Sequence, residues 1–144
     1  MKKIIVILLI CSVFSCKKKT NQQNVANNPV PNIPVSYVTY PGDPSNFKLQ
    51  PIGGWIYVDN IGINGIIIYR KSQEEFVAIE RTSSYLPDNK GAKVKVLNDN
   101  FTLRDTVSGS QWRIFDATVT QGPASWALRT YGTSYNGNSL VVKN

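Results

Sequence analysis

From Gly54 onward the chain alternates short apolar runs with clusters of turn residues. Gly54 to Val58 is the first such run. Gly65 to Arg70 is apolar on both faces, which predicts a central strand buried on both sides. Ser72-Gln73-Glu74-Glu75 turns it into Phe76 to Arg81. Ala92 to Val96 alternates cleanly, with Ala92, Val94 and Val96 facing inward. Asn98-Asp99-Asn100 makes a turn, and Phe101 to Arg104 returns. Residues 112–115 and 117–120 form a further pair. The end of the chain, 128–135 and 139–142, predicts a hairpin around Asn136-Gly137 with a type I′ turn. Asp43-Pro44 supplies a cap and a first-turn proline for one short helical turn ending near Pro51. There is no internal repeat. About ten short antiparallel strands in roughly 110 residues predict an all-β fold, a small barrel or sandwich.

The N-terminus follows a different pattern. Met1-Lys2-Lys3 is positive, and Ile4 to Val13 is an apolar run. At about ten residues the run is half the roughly 20 needed to cross a bilayer. Val13-Phe14-Ser15-Cys16 resembles a lipobox. The expectation is a signal peptide over 1–15, removed before Cys16, with Cys16 as the site of lipid attachment. Lys17 follows the cysteine where an aspartate would favour the inner membrane, so the expected location is the outer membrane, facing the periplasm. Residues 16–32 read as the lipidated cysteine and a flexible linker, because the polar stretch 20–32 has almost nothing to bury. Lys17, Lys18 and Lys19 are either headgroup contacts or the solvated start of that linker. The expected domain is 33–144.

Composition narrows the chemistry. The formal charge is +7, but five of the 16 Lys and Arg lie at or before Lys19. From Ile33 on there are 11 Lys and Arg against 9 Asp and Glu, a net of +2, which gives no basic face for nucleic acid. The chain has no histidine, and its two cysteines are Cys11 and Cys16. The expected domain therefore lacks the commonest general base, the commonest metal ligand, any thiolate and any disulfide.

At Gly109-Ser110-Gln111-Trp112 a family pattern emerges. With Phe115-Asp116, Val119, Gly122-Pro123-Ala124, Leu128 and Tyr131, it resembles the second half of a Rieske iron–sulfur domain. Upstream, Gly53-Gly54-Trp55-Ile56-Tyr57-Val58, Gly65 to Arg70 and Glu74 to Thr82 resemble the strands leading to that family's first cluster loop. The style is similar to Rieske-like lipoproteins of Bacteroidetes. The resemblance runs from about Gly53 to Val142 and implies a [2Fe–2S] cluster held by two cysteines and two histidines. It places the four ligand positions at Ser83, Tyr85, Asp105 and Ser108, none of which is a thiolate or an imidazole. The cofactor expectation is therefore none.

The chemistry of these residues allows other uses. Ser83, Ser84, Tyr85, Asp105 and Ser108 offer oxygens for a hard cation, but a single carboxylate. A serine nucleophile would need a base, for which Lys90 is the nearby lysine. Trp55 and Trp112 read as core, whereas Trp126 follows Gly-Pro-Ala-Ser on a loop and is the expected exposed contact residue. Arg104, Arg113 and Arg129 read as solvated strand edges. The functional expectation is a membrane-anchored lipoprotein with a degenerate, non-catalytic Rieske-like domain in a binding or scaffold role beside an envelope partner. The alternatives are a Rieske-type electron-transfer subunit, by family analogy, and an envelope glycan-binding module.

Overall fold

The computed structural model describes residues 28–144. The expected signal peptide, Cys16 and most of the expected linker lie outside them. The described chain is all-β, with ten strands in two antiparallel sheets. The six-stranded sheet is built from β1 (Ser36–Thr39), β2 (Trp55–Val58), β3 (Ile66–Arg70), β4 (Phe76–Glu80), β9 (Thr130–Tyr135) and β10 (Leu140–Lys143). Its order is β1-β10-β9-β4-β3-β2, and it curls into a half-barrel. The second sheet is β5 (Val94–Val96), β6 (Thr102–Asp105), β7 (Gln111–Arg113) and β8 (Val119–Gln121), in sequence order.

The Ile66-Ile67-Ile68 run explains why β3 shows no alternation. All three side chains are fully buried. Ile66 and Ile68 enter a core with Leu49, Phe76, Ala78, Tyr131, Leu140 and Val142. Ile67 points the other way, into a core shared with Ile79, Val94, Leu103, Trp112 and Ile114. The β2-β3-β4 layer is thus covered on both faces, and its middle strand must be apolar throughout. Hydrogen bonds near the ends of β4 and β2 help join the sheets. The Val94 amide donates to the Arg81 carbonyl (2.7 Å), and the Val96 amide donates to the Tyr57 hydroxyl (2.9 Å).

The short helical turn forms as expected, a 3-10 helix over Pro44–Leu49 with Asp43 as its cap. Three expectations change. Strand β1 has no counterpart in the sequence reading, because its four residues pair only with β10 at the far end of the chain. The final hairpin is not a two-residue type I′ turn. Tyr135 pairs with Leu140, so four residues form the loop. The Asn136 carboxamide accepts from the amides of Asn138 and Ser139, and of the Asn-Gly pair Gly137 takes the positive φ (89°). Last, the domain begins before Ile33. Val30 is fully buried, the Arg129 Nε donates to its carbonyl (2.8 Å), and the Asn28 carboxamide donates to the Ala127 carbonyl (2.9 Å). Arg129 is accordingly buried rather than a solvated edge.

Candidate functional site

Three loops meet at the end of the β2-β3-β4 layer where β4 leaves the sheet. The first follows β4 through Arg81 to Tyr85 and is held by the Thr82–Lys93 bridge and by the Ser83 amide donating to the Ala92 carbonyl (3.2 Å). The second is the turn from Asp105 to Ser110 between β6 and β7. The Gly109 amide closes it on the Asp105 carbonyl (2.8 Å), with Gly109 at φ 77°, a left-handed conformation that glycine adopts without strain. The third is Gly122 to Trp126 after β8.

The side chains of the first two loops tie the three together. Asp105 is fully buried, and its carboxylate accepts from the Val107 amide (2.8 Å) and from the Ser108 hydroxyl (2.6 Å). Ser108 Oγ and Ser110 Oγ lie 2.9 Å apart. Since Ser108 has one hydroxyl proton and the carboxylate takes it, Ser110 donates to Ser108 in turn. Ser110 Oγ then accepts from the Ala124 amide of the third loop (3.0 Å). Alongside, the Trp126 carbonyl accepts from both the Ser84 hydroxyl (2.7 Å) and the Trp112 indole (2.9 Å). Ser83, Ser84, Asp105 and Ser110 are all buried. Among the described residues no buried side-chain nitrogen or oxygen lacks a partner.

Burial works against the charge on Asp105. The hydrogen bonds from Ser108, the Val107 amide and Ser83 outweigh it and hold the carboxyl below its ordinary pKa. The group is an ionised acceptor at neutral pH, with its lone pairs facing donors of its own chain.

Of the residues singled out by sequence, Ser83, Asp105 and Ser108 come together. Tyr85 stands apart, 46% exposed, joined to the network through its amide, which donates to the Ser83 hydroxyl (3.3 Å). Trp126 is on a loop, but its side chain is half-buried, and its carbonyl is the hub. Lys90 is exposed on the turn after Tyr85. Ser110, Ser84 and the Trp112 indole complete the network; the sequence reading had Ser110 as a landmark without a role.

The donor set does not fit the cluster that the resemblance implies. A [2Fe–2S] centre of that type needs thiolates and imidazoles, and this site supplies hydroxyls and one carboxylate. Among the described residues there is also no group of three or more His, Cys, Asp or Glu placed to hold a metal ion.

A second buried carboxylate went unnoticed in the sequence. Glu80 is fully buried at the end of β4 and accepts from the amides of Ile63, Asn64 and Thr82, the Thr82 hydroxyl and the Tyr131 hydroxyl. Burial, then the bond to Glu80, pushes the Tyr131 phenol above its usual range. The β2–β3 loop closes so tightly on this group that a Cβ at Gly62 would lie 2.2 Å from Glu80 Oε2. The strand parity of Phe76, Ala78 and Glu80 was the available signal: all three point to one core.

Comparison with protein-family models and with curated proteins returns no match for this chain.

Proposed function

We propose that this chain is a lipid-anchored, Rieske-like domain whose cluster site has been replaced by a self-contained hydrogen-bond plug, and that it works by binding or scaffolding, without catalysis. The observation that carries the reading is the network itself. Two of the four positions that the resemblance assigns to ligands, Asp105 and Ser108, are joined directly at 2.6 Å, and a third, Ser83, is buried and helps hold the Asp105 carboxyl below its ordinary pKa. The Gly-Ser and Gly-Pro-Ala landmarks supply the next link, from Ser110 to Ala124. A site that satisfies its own polar groups holds three loops rigid and has little to offer a reacting substrate. The anchor at Cys16 rests on the lipobox. Acyl chains there give about 0.8 kcal/mol per buried methylene, so two or more hold the domain stably at an envelope membrane.

Electron transfer, the family analogy, needs ligands that neither these loops nor any residue after Cys16 can supply. A glycan-binding role draws its support from the opposite end of the β2-β3-β4 layer rather than from Trp126. There Trp55, with its indole held by the Asn100 carboxamide (3.0 Å), lines a cleft of about 460 Å³ with Phe47 and Ile52, both exposed.

Regrafting the ligands tests the main reading. The variant Ser83→Cys, Tyr85→His, Asp105→Cys, Ser108→His is expected to take up iron and sulfide on reconstitution and to absorb in the visible, whereas the parent does not. A folded variant that stays colourless would sink the Rieske-like assignment of these loops.

A further inference from the structure

Each of the three loops at this end carries one exposed residue with apolar surface, Tyr85 (46% exposed), Val107 (53%) and Pro123, among exposed polar neighbours such as Thr106 and Lys90; this end of the domain is its tip. The Tyr85 amide donates to the buried Ser83 hydroxyl (3.3 Å) and the Val107 amide to the buried Asp105 carboxylate (2.8 Å), so buried side chains fix the loops that carry them. The N-terminal segment reaches the domain beside the same loops. Asn28 donates to Ala127, one residue from the Trp126 carbonyl that Ser84 binds, and Val30 is buried against Arg129. The other end of the layer lies away from this exit. Trp55 pairs with Tyr69, and Arg70 with Phe76, whereas the tip lies beyond Glu80, about 13 Å further along β4 at roughly 3.3 Å per residue.

From this we infer that the Tyr85–Val107–Pro123 tip rests on the lipid surface that holds the anchor. The inference builds on the proposed lipidation of Cys16. Eleven residues separate Cys16 from Asn28. A polar linker of that length has a typical reach of roughly 17–20 Å, which keeps the exit end, and the tip with it, close to the bilayer. An exposed tyrosine such as Tyr85 suits the headgroup level, where an aromatic ring meets both apolar and wet surroundings. The Asp105 charge lies buried behind these residues with its donors in place, and exposed polar neighbours such as Thr106 and Lys90 suit the wet headgroup layer rather than the hydrocarbon.

The test uses the full lipid-anchored protein in phosphatidylcholine vesicles that carry a fraction of nitroxide-labelled lipid. With Cys16 acylated and Cys11 removed, a cysteine introduced at Val107 or at Ile52 is the sole free thiol and takes a fluorophore. Quenching several-fold stronger at Val107 than at Ile52 is the expected result. Tyr85→Cys provides a second tip position should Val107→Cys fail to fold. Equal quenching at both ends in protein that floats with the vesicles overturns the lipid contact and leaves the tip free for a protein partner. Protein that carries no acyl mass and does not float overturns the anchor itself, and intact-mass measurement tells the two failures apart.

Discussion

Asp105 is fully buried, and its carboxylate accepts from the Ser108 hydroxyl at 2.6 Å. This bond closes the turn between β6 and β7, and Ser108 passes the chain on through Ser110 to the Ala124 amide (3.0 Å) of the loop after β8. Much of the local order therefore depends on one acceptor.

Asp105→Asn keeps the shape but turns one acceptor into a donor facing donors. A buried donor left unsatisfied costs about 1–3 kcal/mol. Urea unfolding is expected to show a stability lowered by that amount, seen as a lower midpoint with an unchanged slope. Ser108→Ala removes one donor to the carboxylate and should cost less, about 1 kcal/mol. A neutral outcome for Asp105→Asn would mean that the plug does not hold the loops.

The same carboxylate sets an acid limit. Its folded pKa lies below the ordinary carboxylate value because Ser108, Val107 and Ser83 stabilise the charged form against burial. Its contribution to stability is thus complete above about pH 4, near the unfolded pKa, and is lost as pH falls through the lower folded value. Stability measured from pH 6 down to pH 2 should decline in that acid window, and Asp105→Asn should flatten part of the decline. The exposed Asp43 and Asp99, lowered by Ser45 and Thr102, supply a remaining slope that the variant retains.

Glu80 makes a stronger prediction for stability. Glu80→Ala leaves the amides of Ile63, Asn64 and Thr82 and the Tyr131 hydroxyl without their acceptor in a buried place. The expected loss is about 3–5 kcal/mol, enough to unfold a marginal domain. Gly62→Ala should also destabilise, since its Cβ would strike Glu80 at a left-handed backbone position. Thermal melts of both variants check the pair.

Much of the fold was legible because it is local. The Ile66–Ile68 run announced a doubly buried strand, and Ala92, Val94 and Val96 showed their inward face. What was missed depends on distant partners. Strand β1 exists through β10, and Val30 is buried because Arg129 reaches its carbonyl. Arg129 looked like a solvated edge since nothing near it in sequence demands a buried guanidinium. The site was partly legible. Ser83, Tyr85, Asp105 and Ser108 could be named from the family resemblance. That Asp105 and Ser108 bond to one another, and that Trp126 contributes a carbonyl more than an exposed ring, follows only from the packing of three loops. Glu80 was readable by parity, but a glutamate at a strand end before an arginine looks like an exposed ion pair.

Lipid attachment has its own test. Intact mass of protein extracted from membranes is expected to show cleavage before Cys16 and added acyl chains. Cys16→Ser should abolish both and release the chain from the membrane fraction. An unmodified, soluble parent would contradict the anchor.

The most direct measurement on the central claim is iron, acid-labile sulfide and visible absorption of the anchored protein, purified without oxygen and without a histidine tag. The account predicts a folded, colourless protein with no stoichiometric iron or sulfide, its cluster loops filled by Ser83, Asp105, Ser108 and Ser110. Stoichiometric iron and sulfide with sulfide-to-iron absorption bands would mean that oxygen ligands hold a cluster here, and would contradict it.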